Sequence, residues 1–163
     1  MSDVETLWDQ RLKRLHSLCG DVHLTGSVAA STGSFVGVTS SRLGVDPRLH
    51  HRVCRFLQRS LFDCRQRGAE LLVASGSAIE PWAIRAAELF GVPCRRLWLD
   101  SAGSRATTST KETCPPEFPR ELHVVAASDS HASVDAALIA VSDRIDAVYV
   151  RRGGMIARQL RSR

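Results

Sequence analysis

Four times along this chain an unbroken apolar run ends in small or hydroxylated residues and gives way to a segment of helical periodicity. "FVGVTSS" leads to "DPRLHHRVCRFLQRSLFDCRQRG", "ELLVAS" to "PWAIRAAELFG", "LHVVAAS" to "SHASVDAALIAVSDRI", and "DAVYVRR" to "GGMIARQL"; "VPCRRLWLD" is a further run of strand character. Strands that are apolar throughout, instead of at every second position, are buried on both faces, which is the condition of a parallel sheet clad in helices on either side. The alternation therefore predicts an α/β fold: a three-layer α/β/α sandwich, doubly wound, mostly parallel, with right-handed connections. Sheets of this kind bind ligands beyond the carboxyl ends of their strands, near the point where strand order reverses.

Local punctuation supports the helices. Asp46 and Pro47 have the character of an N-cap and first helical position, Leu49, Val53, Phe56, Leu57, Leu61 and Cys64 lie along one face, and Gly68 supplies the stop, as Gly91 does for the next helix. Ser2 and Glu5 form a capping box, followed by Val4, Trp8, Leu12, Leu15 and Leu18 at helical spacing, so the chain opens with an amphipathic helix. "DVHLTGSVAAST" after it is ambiguous between a short strand at Val22 to Leu24 and loop. Residues 1–32 thus read as a helix and connecting segment packed on a domain spanning residues 33–163. Ser101 to Glu121, rich in hydroxyls and prolines, is too long for a routine connection and reads as either a functional flap or a surface excursion.

With 163 residues the chain suits a single domain, and no apolar run is long enough to span a bilayer. Acids and bases alternate through its first residues, so no secretory leader is expected and the cytoplasm is the expected compartment. Five scattered cysteines without a Cys-x-x-Cys pair and six dispersed histidines predict free thiols and no metal site. The net charge of +5 raises the possibility of a nucleic-acid partner, but the cations are nearly all arginine, as a base composition favouring arginine codons would also produce.

Candidate chemistry gathers at the ends of the strands. "GVTSSRLG" offers Gly37, Thr39, Ser40, Ser41 and Arg42; "ASGSAIEPW" offers Ser75, Gly76, Ser77, Ala78 and Glu80; Ser128 ends "VVAAS"; and "RRGGM" offers Arg152, Gly153 and Gly154. Small residues let backbone N–H groups approach an anion, hydroxyls add donors to phosphate or ribose, and an arginine fork clamps phosphate. Arg151 beside Arg152 reads as solvated. Glu80 stands just before Pro81, where its carboxylate either caps a helix or accepts from a ribose hydroxyl. Glu80 and Asp100 are the candidate catalytic carboxylates, whereas Asp129 reads as the cap of a turn. Trp82 and Trp98 read as packing residues before stacking platforms for a base.

Taken together, these loops resemble the Rossmann-like superfamily that joins the LONELY GUY phosphoribohydrolases, formerly described as lysine decarboxylases, with the DNA-processing protein A family, a nucleotide-binding domain of the SLOG type. The likeness covers residues 33–163: a first strand ending in Gly-Val-Thr-Ser-Ser-Arg, the glycine loop and alanine-rich helix of "VASGSAIEPWAIRAAELFGVP", and the aspartate, strand and glycine pair of "SDRIDAVYVRRGG". It implies a nucleotide or nucleotide-derived ligand at Gly37 to Arg42, Ser75 to Glu80 and Gly153-Gly154. The phosphoribohydrolases carry Pro-Gly-Gly-x-Gly-Thr-x-x-Glu at the last loop and use its glutamate. Here Gly153-Gly154 is followed by Met155, Ile156, Ala157 and Arg158, so the third glycine, the threonine and the acid are missing.

Three functions follow as expectations. The first is binding of a nucleotide or similar anion in a sensor or regulatory role, with no cofactor identified beyond a phosphate-bearing ligand. The second is ribosyl-bond hydrolysis or transfer through Glu80 or Asp100, and the third is nucleic-acid binding like that of the DNA-processing family. The apolar faces of the first two long helices additionally predict a homodimer.

Overall fold

The computed structural model describes residues 3–26, 33–101, 118–127 and 130–162. Its elements run α1 (Asp3–Cys19), β1 (Val22–Gly26), β2 (Phe35–Ser40), α2 (Pro47–Arg67), β3 (Glu70–Ala74), α3 (Glu80–Phe90), β4 (Cys94–Ser101), β5 (Arg120–Ala126), α4 (Val134–Val141), β6 (Arg144–Tyr149) and α5 (Met155–Arg161). The six strands form one sheet in the order β1-β5-β4-β3-β2-β6. All neighbours are parallel except β1, which runs antiparallel to β5 at the edge. The ambiguous Val22 segment is therefore a strand, ordered by pairing with β5.

Two apolar layers hold the sheet. On one face Val36, Val38, Leu71, Val73 and Cys94 meet Val53, Leu57, Leu61 and Cys64 of α2 and Ala83 and Ala87 of α3. On the other, Phe35, Leu72, Ala74, Leu97, Leu122 and Val124 meet Leu15 and Cys19 of α1 and Ala137, Leu138 and Val141 of α4. Every residue of β2 and β3 is buried, which explains why these runs lack a period of two. The fold is the three-layer, doubly wound α/β/α sandwich that the alternation predicts. Among the described residues no helix is long and apolar enough to cross a membrane.

Helix ends follow the local code. The Asp46 side chain accepts from the Arg48 N–H, and Gly68 and Gly91 close α2 and α3 in the left-handed conformation at φ 62° and 63°. The helical reading of "SHASVDAALIAVSDRI" needs correction: α4 stops at Val141, and Arg144 and Ile145 belong to β6. Two contacts explain the stop. The Ser142 hydroxyl turns back to donate to the Leu138 carbonyl (2.7 Å), and the Asp143 carboxylate accepts from Phe35 N–H (2.7 Å) and from Arg11.

Arg11 also revises the amphipathic reading of α1. It is 1% exposed, whereas Leu18, on the predicted apolar stripe, is 44% exposed. Its guanidinium lies over Phe35 and Trp8 (4.4 and 4.8 Å to the ring centres), bonds Asp143 at 2.5 Å and donates to the Gly33 carbonyl at 3.2 Å. The second buried arginine, Arg95 of β4, bonds Glu70 at 2.5 Å. Burial pushes the thiols of Cys64 and Cys94 up to about 11 and about 12, so both are chemically quiet core residues.

Candidate functional site

The chain leaves β2, moves outward through β3, β4 and β5, then returns to lay β6 on the opposite side of β2. Strand order therefore reverses between β2 and β6, and the carboxyl ends of these two strands stand at the position where sheets of this kind bind their ligands. The tips are tied together there. Ser41 N–H donates to the Tyr149 carbonyl at 2.7 Å, Arg151 N–H donates to Ser41 Oγ at 3.0 Å, and Ser40 Oγ donates to the Ser41 carbonyl at 2.8 Å. A bulge sits at the same level: Thr39 pairs with Ala147 but Ser40 with Tyr149, leaving Val148 as the extra residue. Bulges of this kind re-aim side chains beside binding sites.

Because β3, β2 and β6 are adjacent and parallel, the segments carrying Ser75 to Ala78, Thr39 to Arg42 and Arg151 to Gly154 leave the sheet at one edge. Their geometry differs residue by residue. Gly76 (φ 74°) and Gly153 (φ 70°) occupy the left-handed region that favours glycine. Ser75 is held by its N–H on the Leu97 carbonyl, and Ser77 N–H closes a turn onto Ala74, while Ser77 Oγ is buried without a hydrogen-bond partner among the described residues. Ala78 is half-buried. Arg42, Arg151 and Arg152 are exposed and form no ion pair among the described residues. Gly154 caps α5, a helix of only seven residues, and the Gly153 carbonyl accepts from Arg158. Ser128, together with Asp129, lies outside the described residues.

Gly37 lies inside β2, two residues short of Thr39. A Cβ at this position would overlap Ser142 Oγ and press on Ile145 Cδ1 at 2.9 Å, so close approach of the α4–β6 turn accounts for the glycine.

The two candidate carboxylates are both engaged. Glu80 accepts from Gly76 N–H at 2.6 Å and pairs with Arg96 at 2.6 Å, holding the glycine loop down on the start of α3. Asp100 lies 2.8 Å from His123 Nδ1, and Glu121 stands 3.3 Å from Nε2 of the same ring. Trp98 stacks on His123, and Trp82 packs against the α2–α3 core and His50, as packing residues. No group of acids, histidines and cysteines among the described residues could hold a metal ion.

Several polar residues of α4 and α5 carry almost no mark in the sequence. Ser133 caps α4, accepting from Ala136 N–H (3.2 Å), and also takes Gln159 Nε2 of α5 (2.7 Å). Asp135, two residues further along α4, is held above the ordinary carboxylate range by burial, partly offset by the facing hydroxyl of Thr39. One signal was present: Gln159 follows Ile156 by three positions, placing an amide on the apolar face of α5. Asp135 had none, because an acid in the first turn of a helix ordinarily serves the helix dipole.

The chain matches no protein-family model, no curated protein and no solved structure.

Proposed function

We propose that the chain binds a nucleotide or nucleotide-derived anion at the carboxyl edge of the sheet, in a sensor or regulatory role. The observation carrying this reading is the joined tips of β2 and β6 at the reversal of strand order, flanked by Arg42, Arg151 and Arg152, whose charges meet no acid among the described residues. Guanidinium forks there favour a phosphate, and the Gly76 turn leaves its neighbourhood open to a ligand because nothing lies within 4 Å of where a side chain would begin.

A screen of nucleoside mono-, di- and triphosphates by melting shift tests it. A ligand at a hundred times its Kd should raise stability by about 2.7 kcal/mol. Arg42→Ala should weaken the shift while leaving the ligand-free fold intact, and Gly76→Val should weaken it too, at a cost in ligand-free stability because Gly76 holds φ 74°. No shift with any nucleotide, or a shift indifferent to both substitutions, would reject the reading.

A ribosyl-bond enzyme is the second reading, and the Asp100–His123 contact is what favours it, since a carboxylate that orients an imidazole is a common arrangement for a general base. Release of free base from nucleoside monophosphates, abolished in His123→Ala, would establish it. Its absence leaves binding alone.

A further inference from the structure

Helix α2 carries a charge pattern that its packing does not use. Arg48, Arg52, Arg55 and Arg59 recur at spacings of four, three and four, which sets them in one stripe along the helix, and all are exposed. None of them forms an ion pair among the described residues. The acids nearby are already engaged: Asp46 caps α2, Asp63 holds Arg67 and Arg144, and Glu88 holds Arg85. Like charges three and four residues apart on a helix repel, so the stripe lowers the stability of α2 unless acids from elsewhere meet it.

An open apolar groove lies beside the stripe. Helix α3 buries Ala83 and Ala87 in the core, while Trp82, Ala86 and Phe90, each four residues from the next, share another side. With Leu57 of α2, Pro81 and Leu89 they line a groove of about 390 Å³ between the two helices. Leu89 at its lip is 67% exposed. Cys54 and Gln58 line the α2 bank, and Arg55 and Arg59 follow them directly in sequence, so the stripe borders the groove.

This pairing of charge and shape narrows the occupant. A second copy laid on the groove about a two-fold axis would bring the same patch to itself, arginine against arginine. A nucleic acid would satisfy the stripe and leave the apolar groove unfilled. An amphipathic helix fills such a groove with its apolar face and presents its flank to the bordering charges, and the eleven residues of α3 give it a bank about 16 Å long.

We propose that the α2–α3 groove docks an acidic amphipathic helix of a partner protein, its apolar side chains against Trp82, Leu89 and Phe90 and its carboxylates along Arg48, Arg52, Arg55 and Arg59. The interface does not depend on anion binding at the strand edge.

The test screens the full chain against a displayed library of random peptides of about 16 residues, enough for four helical turns. Enriched peptides should carry apolar residues three and four apart with Asp or Glu beside them. Synthesised singly, they should shield the exposed Cys54 thiol from alkylation, read by mass mapping. Leu89→Asp and the double variant Arg55→Glu/Arg59→Glu, both at exposed positions, should each bind them about tenfold or more weakly with melting temperatures unchanged, and the double variant should also lose the salt dependence of the wild type. Enrichment of no peptide, or of neutral or basic ones, would overturn the proposal, as would binding that leaves Cys54 reactive or survives in both variants. A wild-type dimer dispersed by Leu89→Asp would give the groove to a second copy, and binding of a single-stranded oligothymidine in place of any peptide would give the stripe to nucleic acid. Either result would also overturn the docking of a helix.

Discussion

Asp135 shows how a single residue can be poorly suited to the fold that carries it. Burial holds its carboxyl above the ordinary 3.8, so the folded chain takes up a proton at a higher pH than the unfolded chain does. Stability from this group is therefore full below the ordinary value and is lost as pH rises through the raised one. Asp135→Asn should melt at a higher temperature than wild type at pH 7 to 8, with the advantage closing as pH falls towards 4. A variant no more stable than wild type at pH 8 would contradict the direction of the shift. Gly37 is the opposite case, a residue that the fold requires. Gly37→Ala should cost about 1–3 kcal/mol in urea denaturation, because the new methyl meets Ser142 and Ile145, and Ser142→Gly should restore part of the loss in the double variant. Additive effects of the two substitutions would show that the clash is not the cause.

At the scale of elements, α1 is anchored by a charge, which its apolar stripe alone does not suggest. The Arg11 guanidinium fastens the helix to the α4–β6 turn through Asp143 and to the entry of β2 through Gly33, with Phe35 beneath it. Removing one member of a buried pair strands the other, so Arg11→Ala should destabilise by about 3 kcal/mol, the low end for such pairs because Asp143 keeps the Phe35 N–H and the nearby Arg14. Denaturant titration checks this, and a loss below about 1 kcal/mol would mean that packing of Trp8 and Leu15 anchors the helix by itself. Capping patterns made α2 and α3 legible to within a residue or so, because caps and periodicity act over a few neighbours. The end of α4 was not legible. Ser142 and Asp143 continue a helical pattern in sequence, and it is Phe35, more than a hundred positions away, that claims Asp143 for the start of β6.

At the scale of the whole molecule, the predicted homodimer rests on apolar helix faces, much of whose area is used within the chain: Leu15 of α1 and Val53, Leu57, Leu61 and Cys64 of α2 are all buried. Leu18 and Phe62 of the same helices stay 44% and 59% exposed, leaving some apolar surface for a second copy. Light scattering at twice the 17.9 kDa chain mass would support the dimer, and a clean 17.9 kDa species would remove it. Nucleic-acid binding, the remaining alternative, should weaken steeply with added salt if the excess of arginine serves phosphates. Fold class, layer arrangement and the edge at which the candidate loops emerge were all determined by the sequence alone. Each depends on patterns within one strand or helix: unbroken apolar runs, caps, glycine stops and small residues at strand ends. Tertiary structure decided the rest. Which two strands flank the reversal, why Arg11 is buried, and that the Thr39 hydroxyl faces Asp135 while Gln159 meets Ser133 all depend on pairing and packing between residues far apart in the chain, where no local pattern records the partner.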